Sequence, residues 1–327
     1  VTGITGQDGW YLAHHLLERG YEVIGLVRPE TYRELHRCRY GIESDYVEGV
    51  SYRPFDLHCD SSWEALLDEA KPDEFYHLAG ISFVPDSWNM PVETIQTNIA
   101  ITTRILEAIR QFSAETRIFY ACSSEVFGRP ETGPQHELTP IRPVSPYGVT
   151  KAASHSMIDL YRRQYGLFAC SGILFNHESP RRPPSFVTRK ISMAAAAIAT
   201  GKQDSLMLGN IDSRRDWGYA GDFVDGMWRV LQATEAKDYV IGTGNHTTVR
   251  DLLNCAFDRV GLDWSKYLSI DPRFARANDI QAPLADASLA RKELGWSART
   301  SIQELMQMMV DHDLKLCEQS ETSIRAA

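Results

Sequence analysis

Short apolar runs at 22–27, 50–55, 74–78, 117–122 and 168–174 alternate with longer stretches, at 62–69, 94–111 and 148–165, where apolar residues recur every three or four positions. Runs of the first kind read as strands buried on both faces, and the second as helices with one apolar side. Their alternation predicts an α/β fold: a doubly wound parallel sheet covered by helices on both faces. Val1 begins inside what reads as a further strand, so a few residues are expected ahead of it.

Beyond 174 the texture changes. Residues 175–184 are polar and rich in proline, 239–242 reads as a return to the sheet, and 248–260 and 301–314 read as helices, the second opening on Ser301 and Glu304 at capping-box spacing. The alanines at 194–197 read as ordinary helix. The expected division is a dinucleotide-binding domain over 1–174, completed by parts of 210–250, and a smaller, discontinuous C-terminal substrate domain within 175–327.

Composition narrows the partners. The chain has 327 residues, 43% hydrophobic and 24% charged, which is ordinary for a globular protein able to bury a substantial core. A net charge of −9 argues against a general binder of nucleic acid or acidic membranes. No apolar stretch is long enough to span a bilayer and no secretory leader is visible, so a cytoplasmic location is expected. The scattered cysteines Cys38, Cys59, Cys122, Cys170, Cys255 and Cys317 fit reduced thiols, and no metal site is expected.

Candidate chemistry falls at the carboxyl ends of the expected strands. Gly3, Gly6 and Gly9, with Gln7 and Asp8 between them, open a helix directly after a strand. Such a turn lets a backbone approach a pyrophosphate at a helix N-terminus, which makes the sheet Rossmann-like. Leu78-Ala79-Gly80 and Ser123-Ser124-Glu125 occupy equivalent positions after later strands. Tyr147 and Lys151 lie on adjacent turns of one helix, where the lysine can hydrogen-bond a nicotinamide ribose and lower the phenol's pKa by its charge. Hydride transfer needs a hydroxyl, a phenol and a lysine. Glu125 adds a carboxylate for a second proton transfer.

These residues, with Phe175-Asn176-His177-Glu178-Ser179-Pro180-Arg181-Arg182 and Arg214-Arg215-Asp216-Trp217-Gly218, resemble the GDP-mannose 4,6-dehydratase family of extended short-chain dehydrogenase/reductases, from Val1 to about Leu314. The resemblance implies conversion of GDP-mannose to GDP-4-keto-6-deoxymannose with a bound NADP that is reduced and reoxidised in each turnover. It assigns Ser123, Glu125, Tyr147 and Lys151 to catalysis. Around the cofactor it places Leu78, Ala79, Ser82, His177 and Arg182 with the glycine turn, and Asp56 and Leu57 at the adenine. Arg28, at the end of the second strand, suits a 2′-phosphate, although NAD is not excluded. The substrate candidates are Ser124, Asn176, Val187, Lys190, Arg215 and Arg276, and the cations at 181–182, 189–190, 214–215, 273 and 276 are expected to clamp a diphosphate. A homodimer or homotetramer is expected.

Four segments depart from the family pattern. Arg28-Pro29-Glu30-Thr31 stands for an Arg-Arg-Ser-Ser-like segment, Ala79-Gly80-Ile81-Ser82 for Ala-Ala-Gln-Ser, Gln96-Thr97-Asn98-Ile99 for a Val-Asp-Gly-like segment, and Arg276-Ala277-Asn278-Asp279 for Arg-Pro-x-Glu. An NADPH-dependent 4-ketosugar reductase or C4 epimerase therefore stays open, as does a non-catalytic NADP-binding regulatory protein.

Overall fold

The computed structural model describes residues 1–36, 44–59, 62–131, 133–271, 273 and 283–325. The predicted strands form as Val23–Val27, Val50–Pro54, Glu74–His77, Arg117–Ser123 and Ala169–Leu174, and Tyr239–Ile241 joins them as expected. Every pairing among them is parallel, with Val23 opposite Val50, Tyr76 opposite Phe119, Phe119 opposite Cys170, and Tyr239 opposite Gly172.

Thr2 bridges Leu26 on one side and His77 on the other. Backbone bonds from Leu26 N to Val1 O and from Thr2 N to Tyr76 O knit it between the two neighbouring strands. Strand order therefore reverses at Thr2, and the crevice beyond it is a topological switch point, where ligands bind in open α/β sheets.

Both faces of the sheet are covered. The helices Gln7–Leu17 and Ala220–Gln232 lay Leu12, Leu16, Phe223 and Met227 against Phe119 on one face. The helices Trp63–Ala70, Ile101–Phe112 and Pro146–Tyr165 lay Trp63, Ile105, Ile109, Ile158 and Tyr161 against Tyr120 on the other. Fully burying one such side chain contributes about 1.5–3 kcal/mol. A third core joins Ile191, Leu253, Phe257, Met306 and Val310 from the helices Val187–Ala199, Val249–Arg259 and Ile302–Arg325. The strand Asn176–Glu178, pairing in parallel with Trp217–Tyr219, lies between this core and the sheet. Two further pairs, Leu206–Leu208 with Leu268–Ile270 and Arg214–Arg215 with Thr247–Thr248, are too short to leave a periodic signal in the sequence.

Helix ends follow local chemistry. Pro146 occupies the first turn and Ser145 Oγ accepts from Gly148 N at 3.0 Å, so this helix starts two residues before the expected position. Glu304 N donates to Ser301 Oγ at 3.2 Å while Ser301 N donates to Glu304 Oε2 at 2.8 Å, the capping box read from the sequence. The expected helix over 94–111 is divided: Pro91–Ile95 and Ile101–Phe112 are separated by a π-helical turn, Gln96–Ala100. At one sheet edge Val240 N donates to Glu137 Oε1 at 2.8 Å, and the strand at the other edge ends on Pro54. Among the described residues no helix is long and apolar enough to cross a membrane.

Candidate active site

The switch point opens into a cavity of about 740 Å³. Its floor is the glycine turn. Gly3 has φ +71°, and a Cβ there would lie 2.8 Å from Ala79 N; at Gly9 a Cβ would lie 2.3 Å from Gly3 O. Side chains would therefore part the turn from the loop beside it and from its own helix. Gly6 caps the helix without a side-chain bond, leaving first-turn N–H groups directed at the cavity, a ready site for an anion.

Gln7 and Asp8 tie this turn to the segment that follows the Ala169–Leu174 strand. Gln7 Nε2 donates to His177 O at 3.0 Å, Ser179 Oγ donates to Gln7 Oε1 at 2.8 Å, and His177 Nε2 lies 2.9 Å from Asp8 Oδ2. Burial alone would raise the Asp8 carboxyl, but the charge and hydrogen bond of His177, with Gln7 and Arg182, bring it down to about 2. Burial opposes charging His177, and Asp8 overrides it, so the imidazole is raised from its ordinary value. The ring stacks on Phe223 at 4.5 Å.

Ser123, Glu125, Tyr147 and Lys151 all line the same cavity. Ser123 ends its strand and its Oγ accepts from Glu125 N at 3.3 Å, which fixes the short turn carrying the carboxylate. Gly148 lets the Pro146–Tyr165 helix press on that turn, since a Cβ there would lie 2.8 Å from Glu125 O. Lys151 Nζ donates to Ala121 O at 2.7 Å and lies 5.8 Å from the centre of the Tyr147 ring. Burial pulls the ammonium down to about 8.

The expected lowering of the phenol is not found. Burial raises Tyr147 well above the ordinary tyrosine value, the hydrogen bond with Ser123 and the charge of Arg182 only partly offset it, and Glu125 and Cys122 add to the rise. Lys151 spends its shortest contact on a carbonyl instead of on the phenol.

Leu78, Ala79, Ser82, His177 and Arg182, expected at the cofactor, and Asn176, Val187, Lys190 and Arg215, expected at the substrate, all line this one cavity. Asn176 Nδ2 donates to Asp216 O at 3.3 Å. Ser124 is buried and is not part of the wall. Arg28 is 73% exposed, outside the cavity, with its Nε 3.7 Å from Glu30 Oε1. Asp56 and Leu57 also lie off the wall, just past Phe55, whose N–H bonds Val27 O and so sets them beside Arg28. Arg276 lies outside the described residues.

The expected clamp of cations is smaller than the sequence implied. Arg181 forms a buried pair with Asp45 at 2.8 Å and covers Trp10, and Arg189 pairs with Asp313 inside the third core. Arg182, Lys190, Arg215 and Arg273 line the cavity.

Two supporting residues went unassigned in the sequence reading. Asn98, in the π-helical turn, accepts from Ile81 N at 2.9 Å and donates to Ile81 O and to Thr150 Oγ1 at 3.1 and 3.0 Å. It thus holds the loop after the Glu74–His77 strand to the Pro146–Tyr165 helix; its signals were a polar residue on an expected apolar face and the departure of the 96–99 segment from the family pattern. Asp216, within the Arg-Arg-Asp-Trp-Gly segment, is fully buried and accepts from Thr243, Gly244 and Ala285 backbone N–H groups.

A glycine turn, a strand-end serine and a Tyr-x-x-x-Lys helix meeting at the switch point of a parallel sheet define an extended short-chain dehydrogenase/reductase. In overall fold the chain is similar to UDP-glucose 4-epimerase of Thermotoga maritima solved with UDP-glucose (TM-score 0.84, 22% identity, 97% of this chain and 98% of that one). It is also similar to RMD from Pseudomonas aeruginosa complexed with NADPH (TM-score 0.80, 23% identity, 96% and 97%). The sequence model for GDP-mannose 4,6 dehydratase matches residues 1–309, and GDP-mannose 4,6 dehydratase 1 of Arabidopsis thaliana is 43% identical over 97% of this chain and 90% of its own length. The chain belongs to the GDP-mannose 4,6-dehydratase family, enzymes of the hydro-lyase type.

Proposed function

We propose that this protein converts GDP-mannose to GDP-4-keto-6-deoxymannose with loss of water and no net oxidation. The observation that carries the reading is Glu125 on the same cavity wall as Ser123 and Tyr147. As a phenolate, the form that the positive charge of a bound oxidised nicotinamide would favour against burial, Tyr147 takes the proton of the sugar 4-hydroxyl while Ser123 hydrogen-bonds the same oxygen. The 4-ketone acidifies C5–H, Glu125 takes that proton, and the same carboxyl group protonates the departing 6-hydroxyl as water; the proton held by Tyr147 then goes to C5 as the hydride is returned to C6, which restores both side chains.

The tight packing that Gly3 and Gly9 permit, with the helix start at Gly6 on the cavity wall, supports a dinucleotide at the turn. Gly6, Gln7, Asp8, Leu78, Ala79, Ser82, Lys151, His177 and Arg182 complete the proposed holding set, with Arg28, Asp56 and Leu57 at the adenosine end. NADP, when bound, accepts and returns the hydride and in its oxidised form brings a positive charge to the site. We favour NADP because Arg28 follows the second strand where an acid would serve NAD. Arg28→Ala is expected to weaken NADP by ~1.5–3 kcal/mol more than NAD, measured by calorimetric titration. Equal weakening of the two sinks that choice.

Residues 1–174, with Tyr239–Ile241, form the proposed dinucleotide-binding domain, and most of 175–327 the sugar-nucleotide domain. Product analysis by NMR after incubation with a panel of nucleotide sugars tests the function. Loss of water from GDP-mannose with no net change in reduced nicotinamide is expected, and a stoichiometric requirement for NADPH would overturn the reading in favour of a reductase.

The oligomer proposed is a homodimer. Two abutting helices, Ile101–Phe112 and Pro146–Tyr165, leave Phe112, Val149, Leu160 and Tyr165 exposed, with Ile95 just ahead. Glu107, Arg110, Asp159 and Arg163 place both charges on the same two helices, so a second copy offers a self-complementary cover.

A further inference from the structure

A buried chain of hydrogen bonds runs through His77, a residue with no place in the proposed proton transfers. His77 closes its strand and is 2% exposed. Nδ1 lies 2.8 Å from Thr2 Oγ1, and Nε2 lies 3.1 Å from Thr102 Oγ1.

Counting donors fixes the direction of every bond. Thr2 Oγ1 accepts from the N–H groups of Leu78 and Ala79, each at 3.2 Å, so both its lone pairs are engaged and its one proton goes to His77 Nδ1. A neutral imidazole that accepts at Nδ1 carries its proton on Nε2, which donates to Thr102. The Thr102 hydroxyl in turn donates to Asn98 O at 2.6 Å. Only the neutral Nε2–H tautomer satisfies every member. Burial, then the charge of Lys151, push the ring's pKa down to about 3, which agrees.

The two ends of this relay hold one loop. Thr2 fixes Leu78 and Ala79, and the Asn98 side chain fixes Ile81 and reaches Thr150, the neighbour of Lys151. Between them sits Gly80, where a Cβ would lie 2.9 Å from Asn98 Oδ1 and 4.0 Å from Lys151 Nζ. The loop at 78–81 is therefore clamped between the glycine turn and the catalytic helix, with His77 joining its two fastenings.

We infer that His77 is a positioning residue for the dinucleotide: held as the neutral Nε2–H tautomer, it sets the 78–81 loop against the glycine turn and Lys151. This rests on the cofactor reading of the turn. Titration of NADP and NAD into wild type, His77→Phe, Thr102→Val and Thr102→Ser, together with KM for GDP-mannose, tests it. The dissociation constant for the dinucleotide is expected to rise about tenfold in His77→Phe and Thr102→Val and to recover in Thr102→Ser, with KM for the sugar unchanged. No binding by wild type removes the cofactor reading and the inference together. Tight binding by wild type and by both disruptive variants overturns the role of His77 and leaves the cofactor reading standing. Long-range proton–nitrogen NMR of histidine-labelled wild type reads the tautomer without any variant having to fold: the Nε2–H form is expected throughout about pH 5–8, and an Nδ1–H form or an imidazolium overturns the inference.

Discussion

Each proposed proton transfer depends on one side chain keeping its place and its charge. Glu125→Gln keeps the size of the group but cannot accept the C5 proton, so dehydration is expected to fall ~10²–10⁴-fold while GDP-mannose still binds. Water release at the wild-type rate in single-turnover assays would show that another group is the base. The Asp8–His177 pair makes a different prediction. Asp8 falls from 3.8 to about 2 on folding, so its stabilisation is present above about pH 4 and is lost as pH falls towards 2. His177 is raised from 6.5, so its stabilisation is full below that value and is lost as pH rises past its folded pKa. Asp8→Asn is therefore expected to flatten the acid limb of stability against pH in denaturant titrations, and an unchanged limb would rule the pair out as its source. Tyr147 and Lys151 were legible because four residues is one helical turn. The raised phenol was not, because burial is a property of the packed molecule and Lys151 found a carbonyl nearer than the phenol.

The same contrast holds for elements. Strands buried on both faces announce themselves as apolar runs, helices such as Pro146–Tyr165 by period, and Ile302–Arg325 also by the capping-box residues at its start. The π-helical turn at Gln96–Ala100 left no periodic signal, only the departure of its segment from the family pattern and the polar Asn98 where an apolar residue would continue the stripe. Its side chain makes three bonds to Ile81 and Thr150 inside the protein, so the altered helix is set by what Asn98 must reach. Asn98→Ala should cost about 1–3 kcal/mol in chemical denaturation, since it removes three bonds, two to the half-buried backbone of Ile81 and one to the buried Thr150 hydroxyl. A loss within experimental error would mean that the turn forms without this anchor. The paired segments of two and three residues in the C-terminal part exist because their partners are there, and no window along the sequence contains a partner.

At the scale of the whole molecule, one cavity collects residues from the first turn of the chain to Arg273, which is why motifs far apart in sequence converge while Arg28 and Ser124 stand off its wall. The proposed dimer face includes the outer side of the helix that brings Tyr147 and Lys151 to that cavity. Leu160→Glu is expected to shift sedimentation from dimer to monomer, and a wild-type protein that sediments as a monomer would remove the dimer from consideration. A parallel sheet carries a separate hazard at its margins, where unpaired N–H and C=O groups invite strands from other molecules. Here Glu137 occupies the N–H of Val240 at one margin, while Arg53 and Pro54 close the strand at the other. Glu137→Ala leaves the Val240 N–H uncovered, so faster strand-addition aggregation of the folded variant, followed by thioflavin fluorescence, is the expected outcome, and an unchanged rate would show that this bond does not guard the margin.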